Sequence, residues 1–276
     1  MSTELRDSIR DYIRAAGSGL IVGLPLLYTM EVWFAGVILP WWKLMLLLAV
    51  AFAVVLGYNS VAGFRRERTA IELVLDSVAT MGLGIVIAFV ALVVLGRIDA
   101  DVSVRDAAGK VALEAIPIAF GASIASAQLS GESTGQRTVS PLARLMVGGG
   151  GALLFALNIA PTEEPMLLGI EASPWLLLAV VGVSLAVTFA LVFVADFGGR
   201  TRARVEGLLE HPWSETLTSY AISLAVAVLL LWSFGRTDGV SFEAIVGMTV
   251  MLAFVGSVGA AVARILVGGE HEGGRS

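Results

Sequence analysis

The sequence predicts an all-α fold, a polytopic membrane bundle of about eight transmembrane helices with a 4+4 internal duplication in parallel topology. Three observations carry that prediction. Mean hydropathy is +0.86. Hydrophobic residues make up 57% of the 276 and charged residues only 15%, against about 25% in a soluble domain. The 18 basic and 23 acidic residues fall mostly between apolar stretches of about 20 residues, the length a spanning helix needs.

In order, these stretches are residues 16–39, 41–62, 72–96, 109–129, 143–160, 174–197, 215–235 and 243–267. The fourth contains Glu114 and Pro117, and the fifth is short and Gly-rich. Residues 1–15 interleave Arg6, Arg10 and Arg14 with Glu4, Asp7 and Asp11. They read as an amphipathic lead-in rather than a cleavable signal, because the apolar run that follows is too long for a signal core. With the N-terminus inside, Lys43, Arg97, Arg105, Lys110 and Arg236 lie outside and every other basic residue lies inside. That bias predicts a multi-pass protein of the cytoplasmic membrane with both termini in the cytoplasm. Trp33, Trp41, Trp42 and Trp175 fall at predicted outer ends, as interfacial aromatic belts do.

The composition also excludes chemistry. With no Cys and two His, His211 and His271, the chain can build no thiolate centre, HExxH pair or Cys-ligated metal site. Ser-His, HxxxxD and GxGD arrangements are missing as well. No enzyme activity and no cofactor are expected, and a net charge of −5 offers no basic surface to nucleic acid. Gly148 to Gly151 has no preceding strand and no following Gly-Lys, so close helix packing explains it better than a phosphate loop. Gly19 and Gly23 read the same way.

Repeated segments divide the chain near its middle. Pro25-Leu-Leu-Tyr-Thr-Met-Glu31 lies 140 residues before Pro165-Met-Leu-Leu-Gly-Ile-Glu171, and Gly121-Ala-Ser-Ile-Ala lies 138 before Gly259-Ala-Ala-Val-Ala. Both of the latter run on to a Glu, Glu132 and Glu270, and Gly96-Arg97 matches Gly235-Arg236 at 139. The basic turns around Arg65 and Arg200 also correspond. Residues 1–138 and 139–276 are thus read as two four-helix repeats of one membrane domain. An even number of spans in each gives both halves the same orientation.

Charges inside spans are costly and therefore informative. Glu31 lies eight residues before Leu39, about 12 Å from the outer end of a straight helix, and is the expected central ion or proton carboxylate. Its mate Glu171 lies beyond the Pro161–Pro165 break, where an outer vestibule is expected. Glu72, Asp76, Thr80 and Gly84 are spaced four apart on one helix face, and His211, Glu215, Ser219 and Ser223 repeat them at an offset of 139. These residues read either as a polar path entered from the cytoplasm or as a helix–helix seam, with Glu72 and Glu215 also favoured by the helix dipole. Glu114 is read as interfacial, Asp196 as one side of an ion pair, and Asn59 as a marker of the repeat. Gln128 and Asn158 are read as interhelical hydrogen bonders. Glu163, Glu164 and Glu171 form an outer acidic cluster that reads as a solvated loop rather than a Ca²⁺ site, because its spacing matches no calcium loop.

The segments Gly23-Leu-Pro-Leu-Leu-Tyr-Thr-Met-Glu-Val-Trp33 and Glu164-Pro-Met-Leu-Leu-Gly-Ile-Glu-Ala-Ser-Pro174 resemble those of a prokaryotic family of multi-pass integral membrane proteins of uncharacterised function. The resemblance covers most of the chain, as far as about the eighth span. It implies a multi-pass membrane protein and transfers no site residues.

The functional expectation is a secondary transporter or passive channel for protons or small cations that uses intramembrane carboxylates. The alternative is a non-transporting scaffold, sensor or assembly factor. The expected partners are the lipid bilayer, a proton or small cation, and a second copy of the chain in a homo-oligomer.

Overall fold

In the computed structural model, residues 3–62, 69–129, 141–197 and 211–268 are described, and every regular element among them is an α-helix. The helices are α1 (Thr3–Leu27), α2 (Met30–Ile38), α3 (Trp41–Ala62), α4 (Ala70–Val94) and α5 (Val104–Leu129), then α6 (Pro141–Leu157), α7 (Glu164–Glu171), α8 (Pro174–Phe197), α9 (Pro212–Ser233) and α10 (Phe242–Gly268). The repeat partners Glu132 and Glu270, the basic turns around Arg65 and Arg200, and the side chains of Gln128 and Asp196 lie outside the described residues.

Where the sequence predicts eight spans, six helices among the described residues are long and apolar enough to cross a membrane: α3, α4, α5, α8, α9 and α10. The predicted first span is not one helix. The segment Tyr12–Leu27 of α1 bends by 84° into α2, and the pair counts as a seventh span only when taken together. The break falls at Tyr28 and Thr29, where Thr29 is extended (φ −96°, ψ 109°). The Thr29 hydroxyl donates to the Pro25 carbonyl at 2.6 Å instead of capping α2. The predicted fifth span also stops early. Its helix α6 has 17 residues and ends where Asn158 and Thr162 turn their side chains back onto the Leu154 and Ile159 carbonyls, each at 2.7 Å. Asn158 therefore bonds its own helix rather than a neighbouring one.

The chain divides into two compact units, Met1–Ser130 and Gly131–Ser276. In the first, α5 contacts α1, α2, α3 and α4 and is buried at every residue from Val111 to Ser123. Leu27, Ala88, Leu92, Val111, Ala115 and Ile118 form the core between α1, α4 and α5. In the second unit, α10 holds the corresponding place against α6, α7, α8 and α9, with Met248, Leu252, Ala253, Ala260 and Ala261 buried.

Glycine sets the closest approaches. A Cβ on Gly36 of α2 would stand 2.7 Å from the backbone C of Gly109 and N of Lys110 on α5, and one on Gly109 would strike the Gly36 carbonyl. In the second unit, a Cβ on Gly247 of α10 would strike the Gly169 carbonyl of α7. Backbone contact of this kind packs membrane helices where no hydrophobic driving force exists between them.

Helix ends are closed by local chemistry. At the end of α4, Gly96 takes φ +65°, with Gly96 N–H donating to the Val93 carbonyl at 3.0 Å and Arg97 N–H to the Leu92 carbonyl at 2.8 Å. At the end of α9, Gly235 takes φ +72°, and its N–H and that of Arg236 reach Trp232 and Leu231 at 3.1 and 2.8 Å. Both are Schellman caps, for which Gly is suited because it adopts the left-handed conformation without strain. At the start of α4, Thr69 and Glu72 form a reciprocal capping box at 3.1 and 3.4 Å. Thr69→Ala is expected to cost about 1 kcal/mol, read as a lower melting temperature in detergent by circular dichroism.

Candidate intramembrane carboxylate sites

The predicted central residue, Glu31, does not lie midway along a straight helix. The break at Tyr28 and Thr29 places it in the first turn of α2, half-buried, where a carboxylate is favoured by the helix dipole. Because α2 leaves α1 at 84°, counting residues back from Leu39 along one axis does not give its depth. The neighbouring Trp33 donates its indole N–H to the Leu27 carbonyl at 3.1 Å and so ties α2 to the end of α1.

The two polar stripes differ. On α4 the buried face is Ser77, Met81, Gly84, Ala88 and Leu92, so of the predicted stripe only Gly84 belongs to it. Glu72 is exposed and Asp76 and Thr80 are half-buried. The Thr80 hydroxyl donates to the Asp76 carbonyl at 2.8 Å. On α9, by contrast, Glu215, Ser219 and Ser223 are all buried. Ser219 donates to the Glu215 carbonyl at 2.8 Å and Ser223 to the Ser219 carbonyl at 2.7 Å. Glu215 is 6% exposed.

Glu163, Glu164 and Glu171 are exposed at the two ends of α7. Among the described residues no three His, Cys, Asp or Glu side chains come together to hold a metal ion. The Glu164 carboxyl is held below its ordinary range, first by the Thr162 hydroxyl, then by its own backbone N–H and, more weakly, by Arg236. A carboxyl lowered on folding adds stability that is present above its unfolded-state value and is lost as pH falls through the folded one. Full exposure keeps that effect small here.

Sequence reasoning missed the most deeply buried carboxylate among the described residues. Glu114 is the middle residue of the apolar stretch Val104–Ile124. It is 0% exposed, and neither carboxyl oxygen has a hydrogen-bond partner among the described residues. Where the sequence suggests an interfacial group, the carboxyl is packed inside the first unit. The helix also starts earlier than hydropathy suggests, at Val104 rather than at 109, where the Ser103 hydroxyl accepts from the Asp106 N–H at 3.1 Å. Ser103-x-x-Asp106 is a helix-start signature that the sequence displays. Ten residues at 1.5 Å each place Glu114 about 15 Å along α5 from Val104. One turn later Pro117 has no N–H to give the Leu113 carbonyl, leaving a second polar group close by.

The basic residues at the Val104 end of α5 have structural work. Arg105 donates to the Val37 carbonyl and, at 3.0 Å, to the Leu39 carbonyl, closing the C-terminal end of α2, where a cation is favoured. Its guanidinium also lies 5.8 Å from the Trp41 ring centre. Lys110 donates to the Arg97 carbonyl at 2.8 Å, and Arg97 lies 5.0 Å from the Trp33 ring centre. The cluster that opposes the charge bias thus anchors the joints of the first unit.

At the other end of the first unit a buried network joins three helices. Ser123 of α5 donates to Asn59 Oδ1 of α3 at 3.2 Å, Asn59 Nδ2 donates to Ser77 Oγ of α4 at 3.0 Å, and Ser77 donates to the Leu73 carbonyl at 2.9 Å. Asn59→Leu breaks two interhelical bonds that average about 0.6 kcal/mol each in membranes. The expected loss is about 1 kcal/mol, measured by thermal melting in detergent.

A family model described as "Putative integral membrane protein (DUF2391)" matches residues 11–267 of the chain. No curated protein and no solved structure matches it.

Proposed function

The chain belongs to this family of integral membrane proteins, and from that premise we propose that it moves protons or a small cation across the cytoplasmic membrane as a secondary transporter or passive channel. One observation carries the reading: each unit buries a carboxylate, Glu114 inside α5 in the first and Glu215 in the first turn of α9 in the second. Ionisable groups buried among membrane helices are expensive and characteristically mark ion or proton paths. The half-buried Asp76 and Glu31 are the accessory carboxylates of the proposal.

The proposal includes an internal duplication with both termini cytoplasmic. Supporting it are the shared element order of the two units, the central places of α5 and α10, the Schellman caps at Gly96 and Gly235 and the glycine contacts Gly36–Gly109 and Gly169–Gly247. The rival reading, a non-transporting scaffold, draws on the Asn59 network, whose polar groups are spent on holding helices together. Transport and scaffold separate in proteoliposomes loaded with pH- and ion-sensitive dyes. The transport reading expects protein-dependent flux of protons, Na⁺, K⁺ or Ca²⁺ down an imposed gradient, and the scaffold reading expects none.

A further inference from the structure

We infer that Glu114 is a reversible proton-binding site and that the species it takes is a proton rather than a metal cation; this deepens the transport reading and rests on it. The neighbours of the Glu114 carboxyl along α5, from Val111 through Leu113 and from Ala115 through Ile118, are buried. Both of its oxygens lack a hydrogen-bond partner among the described residues.

A hard metal cation needs a shell of oxygens, six to eight for Ca²⁺ and six for Mg²⁺, and one carboxylate cannot supply it. A proton needs none. It adds to one carboxylate oxygen, takes the site from charge −1 to neutral and removes the cost of an unpaired buried charge. Leaving the same oxygen restores the anion, so each cycle carries one proton.

The groups packed around α5 leave this assignment intact. The described titratable or charged side chains of the four surrounding helices are Tyr12 and Arg14 on α1, Glu31 on α2, Lys43 and Tyr58 on α3, and Glu72 and Asp76 on α4. None of them hydrogen-bonds to the Glu114 carboxyl, and neither do Arg105, Asp106 and Lys110, which precede it on α5. Lys43, the buried cation among them, stands in the first turn of α3, against the Trp42 ring at 5.7 Å. In the first unit, a deeply buried carboxyl without a polar partner is thus found at Glu114.

The test is pH-difference infrared spectroscopy of the full chain in lipid. The wild type is expected to show a protonated-carboxyl C=O band that shifts in deuterium oxide and titrates with pH. Glu114→Gln should lose the band and Glu114→Asp should keep it at a shifted frequency. Saturating Na⁺, K⁺ or Ca²⁺ should leave it unchanged. A band that survives in Glu114→Gln, or that never exchanges with deuterium, overturns the site. A band displaced by one of the cations overturns the choice of proton over metal. If Glu114→Gln does not fold, the shifted band of Glu114→Asp decides alone, and the wild-type band at the same frequency in that variant overturns the assignment. An exchanging band without flux of any ion overturns the transport reading instead, which keeps the two failures distinct.

Discussion

Gly109→Val is expected to destabilise the first unit by about 3 kcal/mol, the upper end of what overpacking costs. The clash is with backbone, so no rotamer change relieves it: the new Cβ meets the Gly36 carbonyl, and the reciprocal Cβ on Gly36 meets backbone of Gly109 and Lys110 at 2.7 Å. Relief requires α2 to move off α5. That would pull the Val37 and Leu39 carbonyls away from Arg105, so the loss spreads through the joint. Gly247→Val, whose Cβ meets the Gly169 carbonyl, should cost a similar amount in the second unit if the two units are copies. Gly82→Ala is the control. Nothing lies within 4 Å of a Cβ there, and removing a helical glycine gains about 1 kcal/mol in propensity. Thermal melting of the three variants in one detergent should give two large decreases and one unchanged or raised midpoint.

The second large effect concerns flux. Glu114→Gln keeps the shape of the side chain and removes its ability to take and release a proton. A carboxyl that carries the transported proton cannot be bypassed, so the expected loss of proton flux is at least about tenfold, with melting close to wild type. Glu114→Asp should retain part of the flux. Glu114→Leu should match Glu114→Gln in flux, and it should fold because it replaces an unpartnered buried polar group by an apolar one of similar size.

How much of this was legible in the sequence follows from what each signal encodes. Hydropathy reports burial in lipid, and it located α3, α4, α8, α9 and α10 to within a few residues. It does not report direction, so the apolar run from Leu20 to Leu39 hid the turn at Thr29 and the 84° bend. Every depth counted along that run, Glu31's above all, inherited the error. The start of α5 was legible in Ser103-x-x-Asp106, but charged residues in the first turns of a helix look like loop when only hydropathy is weighed. Moving that start from 109 to Val104 is what carries Glu114 from the edge of the helix to its middle.

The polar stripes show the other gap. A spacing of four residues identifies a helix face but not what lies against it. The same pattern is therefore partly exposed on α4 and buried on α9. The Thr69–Glu72 capping box was readable from local spacing, and it assigns Glu72 a structural contact. The Asn59–Ser77–Ser123 network joins residues 18 and 64 apart, and a single sequence carries no signal for such contacts.

The measurement that tests the account most directly is proton flux into proteoliposomes containing the full chain, with wild type, Glu114→Gln and empty vesicles compared under the same imposed pH gradient. Flux in the wild type is expected well above that of empty vesicles, with a return to the empty-vesicle rate in Glu114→Gln. Wild-type vesicles that pass protons, Na⁺, K⁺ and Ca²⁺ no faster than empty ones, under gradients of either direction, would contradict it.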